Sequence, residues 1–205
     1  MKFIKFKDKF KDFLIFSLKD ILKQDPKFYR TRLNEWQKKG YLQKIIKKYY
    51  IFSDLEINEQ VLFLIANKIY SHSYISLESA LSYYGLIPES VYGITSVTSK
   101  HTYTFQTELG EFSYKKIKPE YMFGYNLFPY KNHNIKIANP EKTILDYLYI
   151  NPEIKNKNDF FELRINKENF HKTVNITKIK KYLKTYKNKS FQKRVRLFIK
   201  FIENA

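Results

Sequence analysis

The sequence contains no cysteine. That excludes a disulfide framework, a thiolate metal site and a cysteine nucleophile. Its five glycines are isolated, so no glycine-rich phosphate loop is present. The four histidines, His72, His101, His133 and His171, lie far apart and form no HxH or HExxH arrangement, so metal-ligand spacing is missing. No apolar run approaches the ~20 residues of a membrane span. The opening Met1-Lys2-Phe3-Ile4-Lys5-Phe6-Lys7 alternates lysine with apolar residues, whereas a secretory signal needs an unbroken apolar stretch of ~7–15 residues. These absences predict a cytoplasmic protein with no membrane partner, no metal and no cofactor.

Acidic residues are scarce too. The 205 residues hold 20 Asp plus Glu against 38 Lys plus Arg, a formal charge of +18. Hydrophobic residues make up 43% and aromatics 18%, enough to bury a core. The charge sits at the two ends. Residues 1–50 carry 15 basic and 5 acidic side chains, residues 51–150 carry 8 and 10, and residues 151–205 carry 15 and 5. A near-neutral middle between two basic ends predicts attraction to a polyanion, nucleic acid above all.

Apolar spacing predicts a helix over Asp8–Phe16, a second short one over Leu18–Leu22, and a third opening at Asp25-Pro26 and running to Lys39, with Tyr29, Leu33 and Trp36 inward. Gly40 suits the left-handed residue that ends a helix. Beyond it, Tyr41–Ile46 and Tyr49–Phe52 are rich in β-branched and aromatic residues and read as a hairpin turning at Lys47-Lys48. Three helices and a hairpin is the order of a winged helix-turn-helix, in which the third helix enters the DNA major groove and the hairpin touches backbone. On that reading Lys27, Arg30, Thr31, Arg32, Asn34 and Lys38 form the DNA face of the third helix, and Lys44, Lys47 and Lys48 decorate the wing. Two of the chain's five arginines fall in this one helix, and arginine grips guanine or phosphate bidentately as lysine does not.

The middle reads as an α+β unit. A helix is expected over Asn58–Tyr70 and another from an N-cap at Ser76 to Gly85. Strands are expected over Val91–Thr98, Thr102–Thr107 and Glu111–Ile117, then Phe123–Phe128 and Asn134–Ala138, and a helix from Pro140 to about Tyr149. Asn151–Asn158 reads as a linker or exposed loop. The tail holds two basic amphipathic helices, capped by Thr177 and Ser190, whose Lys181, Lys184, Arg194 and Arg196 suit a phosphate backbone. The expected fold class is α+β, with a winged helix-turn-helix at residues 1–55 and a mixed α/β domain with a basic helical tail at 56–205.

Catalytic signals are faint. Glu111, Ser113 and Lys115 would share one strand face, with Glu108 upstream, which leaves a metal-dependent nuclease using the Glu108–Lys115 strands as an alternative. Glu141 and Asp146 are five apart on a helix, too far round to share a metal, and Asp146 reads as an anchor.

The segment Tyr74-Ile75-Ser76-Leu77-Glu78-Ser79-Ala80-Leu81, closing on Gly85-Leu86-Ile87-Pro88, resembles the core signature of AbiEi-type antitoxins of type IV toxin–antitoxin systems. Val97-Thr98-Ser99-Lys100 follows in the family's order. Ala138-Asn139-Pro140-Glu141-Lys142-Thr143-Ile144-Leu145-Asp146 is similar to its Pro-Glu-Lys-x-x-Leu-Asp element, and Leu33…Gly40-Tyr41-Leu42…Ile45…Tyr49 is similar to its winged-helix segment. Lys47-Lys48 stands where the family often has Arg-Gly. The resemblance covers most of residues 20–150. It implies a winged helix that represses its own operon by binding inverted repeats in its promoter, double-stranded DNA being the partner. It also implies a larger part that counteracts an AbiEii-type nucleotidyltransferase toxin without a stable complex. The expectation is therefore a non-enzymatic antitoxin and autorepressor, the remaining alternative being a transcription regulator with no toxin partner.

Overall fold

The computed structural model describes residues 2–46, 48–89 and 91–204. Its first part runs α1 (Phe3–Phe10), β1 (Phe16–Ser17), α2 (Leu18–Gln24), α3 (Thr31–Lys38), β2 (Leu42–Ile46) and β3 (Tyr49–Phe52). The three strands form an antiparallel sheet in the order β1-β3-β2. An aromatic core holds this part together. The Phe6 ring lies 4.7–6.0 Å, centroid to centroid, from Phe10, Phe16, Phe28, Trp36 and Phe52, separations at which aromatic pairs attract beyond simple burial.

That core moves two of the expected helices. Phe3, Phe6 and Phe10 share one face at helical spacing, so α1 begins at Phe3 rather than Asp8, and Leu14 and Ile15 lie in a bend that leads into β1. Asp25 and Pro26 lie in the turn before α3, which starts only at Thr31. Phe28 takes the inward place expected for Tyr29, which is 73% exposed. The end of α3 is as expected: Gly40 has φ +70°, the Gly40 N–H donates to Gln37 and the Tyr41 N–H to Trp36, both at 2.9 Å. This paired closure satisfies the last carbonyls of the helix. Ser17 caps α2 reciprocally with Asp20.

The second part contains α4 (Glu59–Ile69), β4 (Ser73–Ile75), α5 (Leu77–Tyr83), β5 (Ile94–Thr98), β6 (Tyr103–Thr107), β7 (Gly110–Lys116), β8 (Tyr125–Tyr130), β9 (His133–Ala138) and α6 (Pro140–Ile150). Its six strands make one mixed sheet in the order β6-β7-β5-β4-β9-β8, with β5/β7 and β4/β9 parallel and the other pairs antiparallel. The fold is α+β. The central strand β4 was not anticipated: three residues are too few for an alternation to register. One sheet face, through Ile75, Phe112, Tyr114, Ile135 and Ile137, packs on α4 together with Leu14, Ile15, Ile45 and Ile51 of the first part. The expected boundary at residue 55 thus runs beside a shared core. Gln43 also donates to Glu108 at 2.7 Å, and the His133 ring nitrogen lies 2.9 Å from the Asp12 carbonyl.

The other sheet face, through Tyr74, Val97 and Ala138, meets α5, α6 and the tail. The tail holds four helices where two were expected: α7 (Lys157–Glu162), α8 (Lys167–Thr173), α9 (Ile176–Leu183) and α10 (Lys189–Glu203). Asparagine starts each one. The side chains of Asn156, Asn166, Asn175 and Asn188 accept from the backbone N–H three residues on, at 3.0–3.2 Å. Thr177 and Ser190, expected as caps, therefore lie inside α9 and α10. The expected linker is ordered from Asn156 onward by the start of α7.

A charged pair sits at the centre of this second core. Lys142 and Asp146, one turn apart on α6, are both fully buried and form a salt bridge. The second Asp146 oxygen accepts from Tyr74 Oη and Ser76 Oγ, each at 2.9 Å. Lys142 Nζ lies 3.1 Å from Tyr186 Oη, and 5.2–5.8 Å from the ring centres of Phe123, Tyr74 and Tyr186. Burial pushes the Lys142 pKa down and the Asp146 pKa up, and the partners' mutual attraction opposes both shifts. Donors face both carboxylate oxygens, which favours the ionised form of Asp146.

Ser76 stands at the start of α5 as expected, but its hydroxyl serves Asp146. The Ser79 N–H is instead capped by Thr95 Oγ1 at 2.9 Å, and Ser79 Oγ accepts from the Thr95 N–H at 2.8 Å. Between them Leu77 is held at φ +58°, a strained conformation for a bulky side chain. The hydrogen bonds on either side and burial of the leucine side chain hold it there. Breaking the pair from one side strands a buried charge, which costs about 3–5 kcal/mol. Lys142→Ala should lower unfolding free energy by about that amount, and Lys142→Met with Asp146→Leu should recover much of the loss, both read by urea denaturation.

Candidate nucleic-acid interface

Leu33 and Trp36 hold α3 against the aromatic core. That fixes which side chains face outward. Lys27, Arg30, Thr31, Asn34 and Lys38 are exposed and Arg32 is half-buried. On the hairpin, Lys44 is exposed and Lys48 is exposed at the turn, at φ +83°. Lys47 lies outside the described residues.

Arg30 and Lys48, distant in sequence, line one groove of about 670 Å³. Lys19 and Lys23 on α2 complete its rim, and Leu18, Leu22 and Tyr49 form its floor. Sequence reading missed Lys19 and Lys23; the available signal was their spacing of four on a short helix, which puts both on one face. None of the four cations has an ion pair or hydrogen bond among the described residues. The acid closest in sequence, Asp20, pairs with none of them: it accepts from the Ser17 N–H and hydroxyl and lies 4.0 Å from Lys68, and it acts on Lys23 through its field alone. Burial raises the Asp20 pKa, but those hydrogen bonds and the nearby lysines outweigh it and leave the carboxyl below its usual value.

In the tail, Lys181, Lys184 and Arg196 are exposed. Lys184 and Arg196 come together from α9 and α10, lining with Lys180 a pocket of about 290 Å³. Arg194, also expected to contact DNA, does not join them and is half-buried. Its guanidinium donates to the Leu148 carbonyl at 2.6 Å and the Asn151 carbonyl at 3.3 Å, and lies 5.5 Å from the Phe191 ring centre. It thus caps the carboxyl end of α6, where a cation is favoured. Burial draws its pKa below the usual arginine value.

The acids of the nuclease alternative are engaged elsewhere. Glu108 accepts from Gln43, Glu111 accepts from Gln106, and Ser113 is buried. Glu141 accepts from the Asn175 N–H at 2.9 Å and pairs with Lys178 at 2.8 Å. Among the described residues no group of three His, Asp or Glu side chains is placed to hold a metal ion, and no helix is long and apolar enough to cross a membrane. Arg194→Gln should destabilise the chain by about 1–3 kcal/mol, because it leaves part-buried carbonyls without their charged donor. Thermal unfolding of this variant beside Arg196→Gln, which should unfold like wild type, checks the assignment. No protein-family model matches the chain, and no curated protein matches it.

Proposed function

We propose that the chain is a DNA-binding transcriptional autorepressor whose first part acts as a winged helix-turn-helix. The observation that carries this reading is the element order α1-β1-α2-α3-β2-β3 with the sheet order β1-β3-β2, beside which, among the described residues, the outward cations of α3 and the hairpin form no ion pair with a carboxylate. An amphipathic helix held by Leu33 and Trp36 would present Thr31 and Asn34 to a DNA groove, with Arg30 at its N-cap beside them, while Lys44 and Lys48 meet the flanking backbone. Net charge supports the same partner: each neutralised phosphate releases counterions and strengthens binding.

The antitoxin role is proposed on the resemblance of residues 74–88 and 138–146 to AbiEi-type antitoxins. Supporting it, Tyr74, Ser76, Lys142 and Asp146 from the two resembling segments meet in one buried network. Such a network explains why both segments would be needed together for one fold. The toxin counteracted would be a nucleotidyltransferase, and the cell a cytoplasmic setting without membrane attachment.

Electrophoretic shift with the chain's own promoter DNA tests the first proposal. Arg30→Ala should weaken operator binding by about 1–3 kcal/mol and relax sequence preference. Lys48→Ala should weaken all sequences alike, since a phosphate contact carries no base information. In the same assay, replacing Lys181, Lys184 and Arg196 by Gln should flatten the slope of log affinity against log salt by up to about 3 units if the tail follows the backbone. Both hairpin and helix variants binding like wild type would remove this surface from the interface. For the antitoxin role, co-expression should restore growth to cells expressing a nucleotidyltransferase toxin encoded beside this gene, and failure of a folded, expressed chain to do so would leave a regulator without a toxin partner.

A further inference from the structure

We propose that the groove between α2 and the hairpin binds a small amphipathic anion, a carboxylate carrying an aromatic or medium-length apolar body, and that its occupant competes with DNA. The second half rests on the DNA-binding reading above; the first half does not.

Two properties of the groove point to this class of ligand. Its volume, about 670 Å³, falls within the ~300–1,000 Å³ of small-molecule sites. Its chemistry is divided: Leu18, Leu22 and Tyr49 supply an apolar floor, and Lys19, Lys23, Arg30 and Lys48 stand around it. Among the described residues no carboxylate lines it: Asp20, hydrogen-bonded to Ser17 and 4.0 Å from Lys68, acts on Lys23 and Tyr49 only through its field and forms no ion pair with any of the four cations. A nucleic-acid backbone alone would use the cations and leave the floor wet. A simple inorganic anion would do the same. A ligand that satisfies both halves carries one anionic end, for the free cations, and an apolar body that displaces water from Leu18, Leu22 and Tyr49.

The position of the groove gives the consequence. Arg30 and Lys48 are the two residues of the proposed DNA face that also line the groove. An anion bound between them neutralises cations that would otherwise meet phosphate, so ligand and DNA would each weaken the other by the same factor.

Calorimetric titration of the full chain without DNA tests the site, with 2-naphthoate, acetate and inorganic phosphate as the three probes. The expected result is binding of 2-naphthoate at least about tenfold tighter than acetate or phosphate, because only its ring system gains from the apolar floor. Lys19→Gln with Lys23→Gln, both exposed and outside the core, should weaken 2-naphthoate about tenfold while the circular dichroism stays that of wild type. Equal affinity for all three probes would overturn the proposal and leave a general anion surface. So would a folded double variant that binds 2-naphthoate as wild type does. In the shift assay, saturating 2-naphthoate should release promoter DNA; DNA that stays bound would overturn the competition while the titration stands. If the chain binds no DNA at all, the autorepressor reading and the competition fall together, and the titration decides the ligand site by itself.

Discussion

The buried Lys142–Asp146 pair is the constraint around which the second core is arranged. Two charges taken out of water are stabilised only when their remaining donors and acceptors are satisfied. Tyr74 and Ser76 come from β4 and its exit, Lys142 and Asp146 from α6, and Tyr186 from the turn between α9 and α10. The pair therefore sets the distance of α6 from the sheet and draws in the tail. An apolar core would tolerate sliding of helix on sheet; a carboxylate with two hydroxyls on one oxygen and an ammonium on the other tolerates much less.

The first part is organised differently. Its core is aromatic, with Phe6 at its centre, and its polar groups lie outside. Such a core fixes the facing of α3 through two side chains, Leu33 and Trp36, and leaves the opposite face for cations. The two parts meet through apolar residues on either side of residue 55, so forces on the hairpin reach the central sheet through Ile45 and Ile51.

Sequence reading succeeded where one signal dominated. Gly40 with its change of period marked the end of α3, and the hairpin beyond it was placed to within a residue. The long strands β6 and β7 and the helix beginning at Pro140 were legible in the same way. It failed where several weak signals competed. Phe10, Phe13 and Leu14 look helical, but Phe3 and Phe6 claim Phe10 for an earlier helix. Tyr29 has the spacing of a core residue, and the turn at Asp25-Pro26 hands that place to Phe28. The short helices α7 and α8 hid in a segment rich in asparagine and lysine that resembles a linker. Arg194 could not be told from Arg196 by spacing, because its role depends on carbonyls of α6 more than forty residues away. The groove of Arg30 and Lys48 was out of reach for the same reason: its residues come from three elements joined only by folding.

The asparagine caps of the tail carry a further consequence. Aspartate would serve as well at the start of each helix, and its charge would favour the helix dipole. Four aspartates in place of Asn156, Asn166, Asn175 and Asn188 would add four negative charges to a segment whose formal excess is ten positive. A neutral amide makes the same hydrogen bond and leaves that excess intact. The amide itself has no carboxyl to protonate, so the caps of α8 and α10 hold their bonds in acid; α7 and α9 also use a carboxylate, Asp159 accepting from the Lys155 and Asn156 N–H and Glu141 from the Asn175 N–H, and those bonds weaken once it is protonated. The tail thus keeps its positive field, and two of its four helix starts are indifferent to acid.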